Sequence, residues 1–271
     1  MHVSVGAGHR LGKLSHRFAM TAMTSPWILG PTATPARPAR LFCLPFAGGS
    51  AAAYVPWRRI AAADIEVIPV QLPGRGGRIR ERPLRHLDDV VAQLAAALRP
   101  ALDRPYAMFG HSMGALLAFE TLRALRDDGA PPPAALFVSA RRAPHLPPHR
   151  APMHLLSDAD LLGELKALNG TPESVFDDQE FVDLLLPIFR ADLTAVETHV
   201  YRPGAPLDCP IHAFGGDTDR VTEADLAAWA EETRVFSGVT MYSGHHFYLN
   251  DHREALIGKI CRLFARFHGA R

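Results

Sequence analysis

The chain has 271 residues, of which 48% are hydrophobic and 21% charged, and its formal net charge is +1. This length and balance suit one large α/β domain with an ample core; they give no reason to expect disorder, nucleic acid or a membrane surface as a partner. Cys43, Cys209 and Cys261 are odd in number and lack C-x-x-C spacing, which argues against a disulfide framework or a zinc site and fits a reducing cytoplasm.

Residues 1–39 carry Pro26, Pro31, Pro35 and Pro38, and show neither the positive start nor the continuous apolar stretch of a secretory signal. They are expected to be a flexible tail, leaving a domain over 40–271. From Arg40 onward, strands and helices alternate. Residues 41–44 read as a buried strand, ending at Pro45-Phe46-Ala47-Gly48-Gly49. Residues 51–62 read as a helix, 66–70 as a second strand and 71–77 as the loop after it. Residues 87–98 form an amphipathic helix. The apolar run 106–109 is a third strand, followed by Gly110-His111-Ser112-Met113-Gly114. A helix over 115–126 then carries Leu116, Leu117, Phe119, Leu122 and Leu125 and stops at Asp127-Asp128-Gly129. Further strands are expected at 134–140, 210–214 and 239–242, with a closing helix over 254–267.

Residues 141–205 break this rhythm with Pro144, Pro147, Pro148 and Pro152, then helices over 158–168 and 178–200, the second kinked at Pro187. The expected architecture is therefore a mostly parallel, doubly wound sheet with a helical lid insertion. The apolar stripe Phe181, Leu184, Leu185, Ile188, Phe189 and Leu193 lines an acyl channel or packs on the sheet.

The pattern G-x-S-x-G is weak alone, but between a strand and a helix it holds a serine hydroxyl exposed on a strained turn, the setting of a nucleophile, here Ser112. A serine needs a histidine to take its proton and a carboxylate to orient that histidine. Gly215-Gly216-Asp217-Thr218-Asp219 follows one strand and Ser243-Gly244-His245-His246 follows the last, giving the order Ser, Asp, His of the α/β-hydrolase arrangement. Asp219 is favoured over Asp217, which would cap the next helix, and His246 over His245; both alternatives stay open. The backbone N–H of Met113 is expected to donate to an oxyanion, together with that of Phe46, or of Ala47 next to it. No metal ligand set is evident, and His111 reads as structural.

These residues resemble the stand-alone type II thioesterases that accompany polyketide synthases and nonribosomal peptide synthetases. The resemblance rests on residues 42–50, 71–75, 109–114, 169–172, 186–192, 215–219 with Trp229, and 244–247, and so covers essentially the whole domain. It implies an α/β-hydrolase fold and hydrolysis of acyl thioesters on the phosphopantetheine arm of acyl or peptidyl carrier protein domains, with Ser112, Asp219 and His246 as triad. No cofactor of the enzyme's own is implied, and a cytoplasmic monomer is expected. Gly244-His245 stands where Gly-Gly often precedes the histidine, and Arg220 where proline is usual. Arg75, Arg78 and Arg80 could steer an acidic carrier and its phosphate, or else belong to a solvated loop, tied to Glu81 or Asp88. A general serine esterase or lipase, an acyltransferase and a non-catalytic carrier-binding subunit are the competing readings.

Overall fold

The computed structural model describes residues 25–30, 37–148, 150–168 and 177–269. Residues 169–172, part of the resemblance, lie outside the described residues, as does most of the expected tail.

Strands β1 (Ala39–Leu44), β2 (Ile65–Pro69), β3 (Tyr106–His111), β4 (Ala135–Ser139), β5 (Ile211–Gly216) and β6 (Phe236–Tyr242) form one sheet in the order β2-β1-β3-β4-β5-β6. Every neighbouring pair is parallel. The helices are α1 (Trp57–Ile60), α2 (Leu87–Leu98), α3 (Met113–Asp127), α4 (Asp158–Ala167), α5 (Gln179–Glu197), α6 (Glu223–Ala227) and α7 (Arg253–Gly269). Because side chains alternate along a strand, Phe42, Leu44, Tyr106 and Met108 enter the core shared with α2, α3 and α6, whereas Leu41, Cys43, Ala107 and Phe109 enter the core under α1 and α7. A parallel sheet covered on both faces needs such continuous apolar strands. Cys43, Cys209 and Cys261 are buried; burial pushes the Cys43 and Cys261 thiols up from their ordinary pKa.

Three expectations are corrected. Residues 25–30 are not part of a loose tail: Ile28 bridges Val70 antiparallel, Leu29 N–H donates to Pro69 C=O at 3.0 Å, and Gln71 N–H donates to Trp27 C=O at 2.8 Å. Trp27 and Ile28 are buried, so the segment covers the open side of β2, where unpaired backbone groups would otherwise face water. The helix expected over 51–62 is split into a 3-10 turn, Ala51–Tyr54, and the short α1, because Pro56 has no N–H to continue the ladder. Strand β6 starts three residues earlier than expected; Gly238 at φ +104° sits beside a register shift at Ile211/His212, and the irregularity hides the strand's alternation.

The insertion between β4 and β5 builds its own small core from Met153, Leu161, Leu165, Val182, Leu186, Phe189 and Leu193. Ser157 and Asp178 cap α4 and α5 through their side chains, and α5 continues through Pro187. Glu197 ties the insertion together, accepting from the N–H groups of Met153 and His154 at 3.1 and 2.9 Å.

Candidate active site

With all six strands parallel, the loops after β1, β3, β4, β5 and β6 emerge at one rim, and the strand order fixes which are neighbours. Ser112, between β3 and α3, has φ 54° and ψ −114°, a backbone rare for a residue with a side chain. Close approach keeps it there. A Cβ at Gly110 would lie 2.0 Å from Gly114 O, and one at Gly114 would lie 2.3 Å from Leu44 O. Two glycines thus let α3 leave β3 abruptly against the end of β1. Ser112 N–H also extends the β3–β4 ladder to Ser139 C=O at 2.8 Å.

The β5 and β6 loops are laced together. Asp217 N–H donates to Tyr242 C=O at 2.8 Å, Thr218 N–H to Gly244 C=O at 3.1 Å, and Gly244 N–H to Asp217 Oδ1 at 2.8 Å. Asp217 is exposed and fixes the neighbouring loop; the cap of α6 is Thr222, with Asp225 completing a capping box, so Asp217 does not cap that helix as expected. Asp219 is the buried acid, its side chain 3% exposed, and its Oδ2 lies 2.9 Å from His246 Nδ1. His245 is exposed, with Nδ1 3.1 Å from Thr218 Oγ1.

His111 lies under this pair, its ring centroid 5.1 Å from that of His246. Its Nδ1 is 2.8 Å from Ser139 Oγ, itself 2.6 Å from Tyr248 OH. Burial, then the charge on His246, pushes the His111 pKa well down. It therefore stays neutral and offers no second positive charge when His246 takes a proton.

The β1 loop turns back through Gly49 N–H donating to Phe46 C=O at 2.9 Å, with Gly48 at φ +74°. Gly48 N–H donates to Asp192 Oδ2 at 2.8 Å, and Arg75 grips both oxygens of that carboxylate at 2.5 and 2.7 Å. This corrects the docking assignment of two arginines. Arg75 is 4% exposed and committed to Asp192; Arg78 is buried, forks onto Glu81 at 2.6 and 2.8 Å and stacks 4.4 Å over the Trp27 ring. The Glu81 tie weighed for this loop is what the geometry shows for Arg78. Among the three, only Arg80 is exposed.

Phe46, Ser112, Met113, Asp219 and His246 all border one cavity of about 610 Å³ under the insertion. Its apolar wall comes from Leu116 on α3, Leu165 on α4, and Phe189, Leu193 and Val196 on α5, with Met153 beside them. The stripe on α5 thus divides: Phe189 and Leu193 face the cavity, while Phe181 and Leu184 are exposed. Polar groups also line it, from Arg141, His145, Glu197 and Tyr201. Burial lowers the Arg141 pKa to about 10. Met113 opens α3, so its N–H has no acceptor within the helix. Among the described residues no grouping of three or more His, Cys, Asp or Glu could hold a metal ion, and no helix is long and apolar enough to cross a membrane.

Sequence reasoning gave Asp192 no role. Its signal was present: a carboxylate on the apolar stripe of α5, between Phe189 and Val196, belongs to a buried face and needs a partner.

Compared with known proteins, residues 39–264 match the thioesterase domain family. The chain is 40% identical over 242 residues to the gramicidin S biosynthesis protein GrsT of Aneurinibacillus migulanus, covering 89% of this chain and 94% of that protein. It superposes with a TM-score of 0.80 and 45% identity on the type II thioesterase BorB from the borrelidin biosynthetic cluster, over 88% of this chain and 97% of that one. The RedJ thioesterase of the prodiginine pathway in Streptomyces coelicolor gives a TM-score of 0.80 at 41% identity, over 85% and 87%.

Proposed function

This chain belongs to the thioesterase family, and from that premise we propose that it releases acyl groups from the phosphopantetheine arms of carrier protein domains by way of an acyl-enzyme on Ser112. It is a type II thioesterase of the α/β-hydrolase fold, a hydrolase acting on thioesters of polyketide or nonribosomal peptide assembly. The observation that carries the residue assignment is the buried Asp219–His246 pair opening on the same cavity as Ser112.

In this reading His246 removes the Ser112 proton as Oγ attacks the thioester carbonyl, and Asp219 holds the imidazole in the required tautomer. Negative charge collects on the carbonyl oxygen, where the Phe46 and Met113 amides receive it. Fixed donors of this kind each contribute about 3–4 kcal/mol. The leaving thiol, with an ordinary pKa of about 8.5, departs with little help from an acid. Water activated by His246 then releases the free acid. The mixed walls of the cavity suit an acyl chain that carries oxygen substituents.

Ser112→Ala is expected to lower kcat on an acyl-loaded carrier by about 10⁴-fold or more, read by intact-protein mass spectrometry. A variant that hydrolyses at near wild-type rate would remove Ser112 from the mechanism. Running acyl-pantetheine thioesters against matched p-nitrophenyl esters tests the preference for sulfur over oxygen.

A further inference from the structure

The loop that would supply the Phe46 amide is not held by its own strand alone. Its turn is closed by Gly49 N–H on Phe46 C=O, and Gly48 stands third in it at φ +74°, the arrangement of a type II turn. Such a turn differs from a type I turn by inversion of its middle peptide, here Ala47–Gly48. The N–H of that peptide is the group that donates to Asp192 Oδ2 at 2.8 Å. Arg75, gripping both carboxylate oxygens, also reaches the next residue, with Nη1 3.4 Å from Gly49 C=O. Phe189, one turn before Asp192 on α5, fills the space where a Cβ on Gly48 would stand, 2.2 Å from its ring. Asp192 is 3% exposed and Arg75 4%. A buried ion pair is an indifferent source of stability, since apolar residues of similar volume often serve as well. This one spans the insertion, the β1 loop and the β2 loop, and its carboxylate is aimed at one backbone amide.

We infer that Asp192 is a positioning residue for thioester hydrolysis: through its bond to Gly48 N–H, the lid helix α5 sets the orientation of the turn that carries the Phe46 oxyanion donor. The inference rests on the reading of Ser112 as nucleophile and Phe46 as donor. It makes α5 part of the machinery that stabilises the transition state as well as a wall of the acyl chamber. Substrate binding does not require the bond; the developing oxyanion does.

The test uses the full chain and propionyl-N-acetylcysteamine, a thioester too small to report on carrier docking. Asp192→Ala is expected to lower kcat on the order of 10²-fold, about 2.7 kcal/mol at 1.36 kcal/mol per factor of ten, with KM changed less than about 3-fold. Affinity for a trifluoromethyl ketone analogue, which forms the oxyanion, should fall by a similar factor. Affinity for the thioether analogue, which cannot, should hold. Because Asp192→Ala strands the Arg75 charge, the double variant Arg75→Met with Asp192→Leu removes both partners together. It is expected to melt near the wild-type temperature and still show the kcat loss. If it does not fold, Asp192→Asn carries the test, keeping volume and an acceptor oxygen, with an expected kcat loss of about 10-fold. A folded variant with lowered melting temperature but wild-type kcat and ketone affinity, measured well below its transition, would overturn the inference and leave the pair a purely structural one. Full activity in Ser112→Ala would instead overturn the reading on which it rests, so the two failures are told apart.

Discussion

Ser112 holds a backbone conformation that costs a residue with a Cβ about 1–3 kcal/mol, retained because the glycines on either side allow β3, α3 and the end of β1 to meet. The same close fitting divides the two aspartates of the β5 loop. Asp219 lies against His246 Nδ1, out of water, whereas Asp217 holds the Gly244 amide at the surface. Asp219→Asn is accordingly expected to lower kcat by about 10³–10⁴-fold, with the imidazole left in the wrong tautomer. Asp217→Asn keeps an acceptor for Gly244 and should stay within about 5-fold of wild type. Steady-state kinetics on one small thioester decides between them, and comparable losses in both would reject the division of roles. Of this site, the order Ser, Asp, His and the strand-loop positions were legible in the sequence. The burial that separates Asp219 from Asp217 was not, because both lie in one polar loop and their partners are 27 residues away.

Elements were legible where a periodic run and its stop signals agreed, as in α2, whose bounds match the expected 87–98. They were obscured where one residue interrupts the pattern, as Pro56 does before α1 and Gly238 does in β6. The arginines of the β2 loop show a different limit. Arg75 reads as solvated in its local context, and the carboxylate that buries it stands 117 residues further on. The proline-rich N-terminal stretch misled for a related reason: Trp27 and Ile28 have no periodic neighbours, yet β2 offers them an unpaired edge. If that segment belongs to the fold, Trp27→Ala should destabilise by about 3 kcal/mol in urea unfolding. A loose tail would give less than about 0.5 kcal/mol, and that result would remove residues 25–30 from the domain.

At the scale of the whole molecule, the regular alternation of strands and helices was enough to expect a parallel sheet with its loops at one rim, because crossovers between parallel strands take one hand. What the insertion does beyond roofing the rim emerged only from contacts between distant segments. Titration is also a property of the whole. His212 on β5 is buried, with Nε2 2.8 Å from Thr240 Oγ1, and burial lowers its pKa from 6.5 to about 4, against a smaller opposing effect from the Ser237 backbone. The folded protein therefore takes up this proton later than the unfolded chain. Its stabilisation is complete above about pH 6.5 and is lost as pH falls toward 4. His111 acts in the same direction. The melting temperature is expected to drop between pH 7 and pH 5, and to drop less in His212→Gln; a wild-type profile flat over that interval would contradict it. The three thiols carry a last consequence. A thioester carbonyl is open to any thiolate, which can take the acyl group and release the other sulfur. With Cys43 and Cys261 kept protonated by the core and Cys209 covered as well, this protein offers a bound thioester no thiolate for that exchange. Acyl groups that enter the cavity are therefore not diverted onto a cysteine, where they would be stranded as a second thioester.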